Sequence, residues 1–178
     1  MTHSAITKTR GVTLVELLVA IAVLAILTTI AAPSLTQVIH NNRVASQNNE
    51  LVALINLAKS QAIRRNSDHV IEFIIAPDGW NAYLNRDLTE DEGSDPTCEV
   101  TAIRCAEHQG VALSTIDSSE QPLIFDGQPL IFDQRGYLAG LQPRALVLQN
   151  IPCRGERQRR VIRITATGQI SSESALCE

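Results

Sequence analysis

A long apolar run near the start of the chain is the strongest pattern in the sequence. It extends over residues 12–32, and at about 1.5 Å of rise per residue a helix of about 21 residues crosses about 30 Å of hydrocarbon. The run therefore predicts a transmembrane segment over residues 12–33. Its one charged residue, Glu16, costs about 2.5 to 3.5 kcal/mol in lipid unless a partner neutralises it. Since no basic residue lies inside the run, Glu16 indicates an interaction made within the membrane.

The helical period continues after Pro33, although the sequence becomes polar. Apolar residues recur at helical spacing on one face, and polar residues fall mostly on the other. The predicted buried face consists of Leu51, Leu54, Ile55, Ala58, Ala62 and Ile63, and the polar face of Asn48, Asn49, Glu50, Lys59 and Arg64. We expect an amphipathic half over residues 34–66, so that one helix extends from Val12 to about Arg65. Because proline removes a backbone donor and clashes with the preceding turn, a bend or local loosening is predicted at Pro33.

Short β-strands are predicted after the helix. Residues 70–75 and 80–84 are typical of two strands, and Asp78-Gly79 between them indicates a hairpin in which Gly79 supplies a positive φ. Residues 67–178 would then form one head domain rich in strands. The chain is accordingly predicted to be an α+β protein.

Two segments of the head depart from this pattern. Residues 85–110 are polar and lack a period, so we expect a surface loop there. The sequence Gln-Pro-Leu-Ile-Phe-Asp occurs at residues 121–126 and again at 128–133. A repeat of this length is consistent with a tandem duplication and is too short to indicate a solenoid.

A short polar leader, residues 1–11, precedes the apolar run. It contains His3, Lys8 and Arg10 and no acidic residue, and this positive charge predicts that the N-terminal end stays in the cytoplasm. The head would then lie across the membrane, in an oxidising compartment. The net charge of -4 is mildly acidic and says little about partners.

The stretch Gly11-Val12-Thr13-Leu14-Val15-Glu16, followed by the apolar run, resembles the class III signal of type IV pilins and pseudopilins. The resemblance implies that a prepilin peptidase cuts between Gly11 and Val12 and methylates the new amine of Val12. Glu16 would then be the glutamate that pairs with the N-terminal amine of a neighbouring subunit. Two opposite charges about 4 Å apart attract by about 4 kcal/mol at an effective dielectric constant of about 20, comparable to the cost of burying the carboxylate. The family usually has phenylalanine at the first mature position, where this chain has Val12.

Features of the head resemble the GspH/FimT group of pseudopilins and minor pilins. They are the hairpin that closes on Asp78-Gly79-Trp80, the turn Phe132-Asp133-Gln134-Arg135-Gly136 and the strand pair over residues 160–170. The resemblance implies an antiparallel β-head of two small sheets packed on the long N-terminal helix. It also implies a bacterial inner-membrane protein whose head lies in the periplasm.

Four cysteines, Cys98, Cys105, Cys153 and Cys177, all follow the membrane segment. An even number of cysteines in an oxidising compartment indicates disulfides. Of the three possible connectivities we favour the local pairs, Cys98 with Cys105 and Cys153 with Cys177. A zinc site that includes His108 is the alternative, but the spacings match no common zinc pattern. The acidic residues between positions 85 and 110 do not follow the EF-hand order either, so no metal or other cofactor is predicted.

Arginines are concentrated late in the chain. They are Arg154, Arg157, Arg159, Arg160 and Arg163, and such a cluster can pair with phosphates in a salt-sensitive manner. Some FimT-type pilins bind DNA through a Gly-Arg-x-Arg motif, which residues 157–159 resemble, with Glu156 in place of the glycine. The alternative is a solvated loop that pairs with the acidic segment near Asp91 or with neighbouring subunits.

No set of residues suggests catalysis. The four histidines are scattered, and the sequence contains neither a Gly-x-Ser-x-Gly elbow nor a phosphate-binding loop, so we expect a non-enzyme. The resemblance predicts a minor pilin or pseudopilin in the tip or priming complex of a type IV pilus or a type II secretion pseudopilus. Its partners would be other pilin subunits, the prepilin peptidase and the inner membrane. DNA binding in natural transformation, with DNA as a further partner, is the alternative.

Overall fold

The computed structural model describes residues 12–76, 78–85, 104–116, 122–123, 127–154 and 156–177. The chain divides into two compact units, Met1–Ile39 and His40–Glu178. Helix α1, Leu14–Arg65, contributes its first part to the N-terminal unit and the rest to the second unit. This second unit is the head of the structure, so the head includes the last part of α1 as well as the strands. The prediction of a long N-terminal helix that ends near Arg65 is confirmed, whereas the distortion at Pro33 stays a prediction.

The described part of the N-terminal unit consists almost entirely of α1. Its large apolar side chains between Leu14 and Leu27 are each at least 51% exposed. Among the described residues no single helix is both long and apolar enough to cross a membrane. The segments Leu14–Thr29 and Ser34–Arg65, taken together as one interrupted span, are long and apolar enough for a membrane crossing by length and composition alone.

The head contains two antiparallel sheets within the described ranges. In chain order the strands are β1 (His69–Ala76), β2 (Gly79–Asn85), β3 (Arg104–Gln109), β4 (Val111–Ile116), β5 (Pro122–Leu123), β6 (Leu130–Phe132), β7 (Arg144–Asn150), β8 (Glu156–Ile164) and β9 (Ile170–Leu176). The first sheet has the order β3-β2-β1-β6 and the second β5-β4-β7-β8-β9. The predicted α+β class with a two-sheet antiparallel head is confirmed.

One hydrophobic core joins α1 to both sheets. Five residues of the predicted helix face are at most 1% exposed: Leu51, Leu54, Ile55, Ala58 and Ala62. They pack in one cluster with Trp80 of the first sheet and with Leu148 and Ile162 of the second. The prediction is wrong for Ile63, which is 49% exposed, because it lies over a turn at the end of the head and not between the sheets.

The prediction that Asn48 belongs to a solvent-facing polar surface is also wrong. Asn48 is buried and accepts a hydrogen bond from Ser172 Oγ at 2.8 Å. The neighbouring Gln47, equally buried, accepts one from Trp80 Nε1 at 3.1 Å and donates to the carbonyl of Gln109 at 3.1 Å. Because Asn48 and Gln47 form hydrogen bonds with residues of the two sheets, this part of α1 is buried although these side chains are polar.

The hairpin of β1 and β2 is confirmed, but the predicted reason for Gly79 is wrong. Gly79 pairs with Ala76 at the end of the ladder, and its φ is not positive. The carbonyl of His108 in β3 occupies the space that a Cβ of Gly79 would take. A glycine is therefore needed for the close approach of β3 and not for the turn.

The loop predicted over residues 85–110 ends earlier than expected. Residues Arg104–Gln109 form β3, which pairs with β2 along its length. Because β3 is an edge strand and its side chains are mostly polar, it lacks the apolar alternation that marks a strand in sequence. Residues 86–103, with the acidic cluster, lie outside the described residues.

Two turns meet at the end of the head that contains the C-terminus of α1. The first is the predicted turn, in which the Asp133 carboxylate accepts hydrogen bonds from the backbone N–H groups of Arg135 and Tyr137, each at 2.9 Å. Partial burial raises the pKa of Asp133, but these bonds and the charge of Arg135 outweigh it, so the pKa lies below its usual value. The second turn connects β8 to β9, and its Gly168 carbonyl accepts a hydrogen bond from Lys59 Nζ of α1 at 2.7 Å.

Candidate functional site

The N-terminus of α1 holds the residues predicted to act in processing and assembly. Gly11 lies outside the described residues, and Val12 is 71% exposed. Thr13 Oγ1 accepts a hydrogen bond from the backbone N–H of Glu16 at 3.2 Å. This bond is one half of a capping box, for which Thr-x-x-Glu is the sequence signature.

Glu16 therefore has a local role that its apolar surroundings did not suggest. An acidic side chain in the first turn interacts favourably with the helix dipole. The side chain is exposed, so its carboxylate is accessible to a partner. The capping signature was present in the sequence at Thr13 and would have predicted the start of the helix.

The structure does not bring the five predicted arginines onto one surface. Arg157, Arg159 and Arg160 lie in β8 and not in a loop, and successive side chains of a strand point to opposite faces. Arg159 is only 6% exposed, and Arg160 is half-buried. Arg163 Nε lies 3.1 Å from Glu173 Oε1 on the neighbouring strand. Of the five, only Arg154 and Arg157 are exposed.

A disulfide holds the segment between β7 and β8. Cys153 is bonded to Cys177, with their Cα atoms 5.7 Å apart, which confirms one of the two favoured pairs. The backbone N–H of Arg154 donates to Gln158 Oε1 at 2.9 Å. The pairing of Cys98 with Cys105 stays a prediction, because Cys98 lies outside the described residues.

His108, the residue of the alternative zinc site, lies against α1. Its Nε2 is 3.3 Å from Glu50 Oε2, without hydrogen-bond geometry, and its ring centroid is 4.4 Å from that of Trp80. Burial lowers the pKa of His108 more than the Glu50 carboxylate raises it, so the imidazole favours its neutral form. In the described ranges no group of three histidine, cysteine or acidic residues could hold a metal ion.

Comparisons with solved structures show the fold. Two crystal forms of the type IV minor pilin FimU of Pseudomonas aeruginosa match with TM-scores of 0.52 and 0.54, each at 18% identity. The matches cover 72% and 74% of this chain and 91% and 89% of FimU. The minor pseudopilin EpsH of the type 2 secretion system of Vibrio cholerae matches with a TM-score of 0.49 at 15% identity, over 74% of this chain and 96% of EpsH. A comparison with curated proteins gives no match.

Two family models match the sequence. The prokaryotic N-terminal methylation motif matches residues 6–32, the part that contains the leader and the apolar run. The model of the type II transport protein GspH matches residues 47–168, which include most of the second half of α1 and strands β1 to β8. Because that match covers more than half of the chain, the chain belongs to the GspH family of minor pilins and pseudopilins.

Proposed function

We propose that this chain is a minor subunit in the tip or priming complex of a type IV pilus or a type II secretion pseudopilus. Residues 12–33 hold it in the bacterial inner membrane before assembly, with the head in the periplasm. The prepilin peptidase cuts between Gly11 and Val12 and methylates Val12. The observation that carries the proposal is an uncovered apolar helix surface with one carboxylate, Glu16, inside the segment that matches the methylation motif.

Glu16 supplies the assembly contact in this proposal. A carboxylate in lipid costs about 2.5 to 3.5 kcal/mol on insertion scales when it has no partner. The N-terminal amine that cleavage creates on a neighbouring subunit is an oppositely charged group at the same end of the helix. Pairing of the two charges offsets the burial cost, so assembly is favoured over the isolated subunit in the membrane.

Glu16→Gln is the variant that tests this contact. Glutamine also suits the third helical position of a capping box, so the start of α1 is retained while the charge is lost. We expect the amount recovered in filaments, relative to the membrane fraction, to fall at least about tenfold because the ion pair is lost. The measurement is a quantitative immunoblot of sheared filaments and membranes from cells that have an active prepilin peptidase.

Glu173→Gln provides the matched control, since it makes the same chemical change on the exposed surface of β9. Parental recovery of Glu16→Gln in filaments would contradict the proposed ion pair. The leader gives an independent check, because the cut chain migrates faster on a gel than the uncut chain. A chain that remains uncut in those cells would contradict the proposed processing at Gly11 and Val12.

DNA binding in natural transformation is the second candidate. Its support is the density of arginines in the sequence together with the exposure of Arg154 and Arg157. Burial of Arg159 and the pairing of Arg163 with Glu173 reduce the number of guanidinium groups that could meet phosphates. We therefore place DNA binding second to assembly.

A further inference from the structure

Three exposed arginines lie at the end of the head where α1 enters it. Arg43 lies in α1, Arg154 lies between β7 and β8, and Arg157 lies at the start of β8. The assembly contact at Glu16 uses none of them. Arg43 was not among the candidates that the sequence suggested, because it lies far from the others along the chain.

Contacts within the head bring these segments together. His40, the first residue of the head unit, has its Nδ1 3.0 Å from Asn150 Nδ2 at the end of β7. The backbone N–H of Ile151, the residue after Asn150, donates a hydrogen bond to the carbonyl of Gly110 at 3.1 Å. The guanidinium of Arg43 packs against Gly110, where it would meet any added Cβ. The segment that carries Arg154 therefore begins beside the residue at which the chain enters the head.

The backbone around the two later arginines is fixed. The disulfide of Cys153 and the bond from the Arg154 N–H to Gln158 Oε1 hold the segment before β8. Arg157 has a φ of 68°, in the left-handed region that favours glycine. It lies where the pairing of β8 with β9 shifts register. A charged side chain at a position that glycine would occupy with less strain suggests a use for that charge.

The charges at this end favour an anionic partner. Among the side chains whose exposure is described, three guanidinium groups are exposed there against one carboxylate, that of Asp78, whose backbone carbonyl accepts the N–H of Gly110 at 2.7 Å. The side chain of Glu156, beside Arg157, is not among them. Glu50 lies further along α1, beside His108. Guanidinium groups bind phosphate oxygens through two parallel hydrogen bonds.

The distance to the proposed membrane segment is short. Residues 33–39 are helical, and the eight steps from residue 32 to residue 40 span about 12 Å as helix and at most about 29 Å as extended chain. We propose that Arg43, Arg154 and Arg157 contact the anionic phospholipid headgroups of the membrane before assembly. This inference rests on the proposed insertion of residues 12–33. It also accounts for three exposed arginines at the end of the head where α1 enters it.

DNA is the other phosphate-bearing partner, and the placement favours lipid over DNA. Whatever the arrangement of the two units, the covalent connection keeps His40 near the end of the membrane segment. A DNA site would gain from arginines that extend along β8, but Arg159 is buried there.

The test uses the full chain with its leader removed, in vesicles of phosphatidylcholine or of phosphatidylcholine mixed with phosphatidylglycerol. A water-soluble phenylglyoxal labels accessible arginines, and mass spectrometry quantifies the label at each position. The internal reference is Arg135, whose side chain is 78% exposed. It lies in the turn that packs against Ile63, about 30 Å along α1 from Arg43.

We expect the labelling of Arg154 and Arg157, relative to Arg135, to be at least about threefold lower in the anionic vesicles at low salt. Raising the salt to about 0.5 M should restore it, because the Debye length shrinks to a few ångströms. The double variant Arg154→Gln with Arg157→Gly should also expose Arg43 to the label. Its glycine suits the backbone, so it remains folded. The matched control Arg64→Gln changes an exposed arginine in the last turn of α1 and keeps Arg135 as the reference, so it should leave the protection of the other arginines unchanged.

Flotation of the vesicles separates the failure of this inference from that of the proposed function. A chain that does not float with vesicles lacks the proposed membrane segment, and both proposals then fail. A chain that floats but is labelled equally in the two kinds of vesicle overturns the lipid contact alone. Protection by added double-stranded DNA in neutral vesicles, without protection by anionic lipid, would overturn it in favour of a DNA site.

Discussion

Gly168→Ala is expected to destabilise the head much more than Gly140→Ala. The two glycines have nearly the same left-handed backbone, with φ values of 72° and 76°. They differ in what an added methyl group would meet. At Gly140 no atom of the described residues other than its chain neighbours lies within 4 Å of an added Cβ. At Gly168 the Cβ would overlap the backbone carbonyl of Gly136 and touch the end of Lys59.

The shared backbone effect sets the smaller of the two values. A left-handed alanine costs about 1 to 2 kcal/mol, and the lower entropy of the unfolded chain returns about 0.4 to 1 kcal/mol. We therefore expect about 1 kcal/mol for Gly140→Ala. At Gly168 the methyl group must displace a backbone carbonyl, for which overpacking costs about 1 to 3 kcal/mol. Displacement of the turn also weakens the hydrogen bond from Lys59 Nζ to the carbonyl of Gly168, so we expect a total of about 3 to 4 kcal/mol.

Urea unfolding of the full chain in detergent measures this difference. The chain has one tryptophan, Trp80, which is fully buried in the head, so its fluorescence reports head unfolding. Gly168→Ala should have an unfolding free energy about 2 to 3 kcal/mol below that of Gly140→Ala with an unchanged m-value. Equal losses for the two variants would refute the close approach of the two turns as the reason for a glycine at position 168.

Three further predictions concern the head. Leu54→Ala should cost about 2 to 5 kcal/mol because it opens a cavity in the core, whereas Leu141→Ala, at a position 63% exposed, should cost less than about 0.5 kcal/mol in the same titration. Cys153→Ser removes a disulfide with a sequence separation of 24 and should cost about 3 kcal/mol, measured against parent protein under non-reducing conditions. Burial lowers the pKa of His108 more than Glu50 raises it, so the folded protein favours the neutral imidazole more than the unfolded chain does. The stability that results is complete above about pH 6.5 and is lost as the pH falls through the lower folded pKa of His108. His108→Gln should therefore lose less stability than the parent between about pH 8 and pH 5, and equal losses would contradict the burial effect.

The parts of the fold that follow from local pattern could be predicted. The spacing of Leu51, Leu54, Ile55 and Ala58 places four side chains on one helix face, and all four are buried. The β1–β2 hairpin follows in the same way from two short strands that are separated by a turn. The two strands of the hairpin are adjacent in sequence, and the helix face needs only an apolar surface as its partner.

Features that depend on distant partners could not be predicted. Asn48 looks solvent-exposed in sequence, and only Ser172 of β9 explains its burial. The repeated sequence is a clearer example of this dependence on distant partners. Its first copy contributes β5 to one sheet, and its second copy contributes β6 to the other. The equivalent leucine of the two copies therefore pairs with β4 as Leu123 and with β1 as Leu130. The available neighbour decides the pairing, and local propensity does not.

The arginines illustrate the same limit for function. Density along the sequence suggested one basic surface, but a strand sends Arg159 and Arg160 to opposite faces, and a cross-strand carboxylate neutralises Arg163. The exposed charge that remains gains a member from α1, because the contact of His40 with Asn150 sets Arg43 beside the segment that carries Arg154. A charged surface is thus composed by tertiary contacts and not by runs of residues. Since the surface lies where the chain enters the head, its partner is better inferred from that position than from the number of arginines.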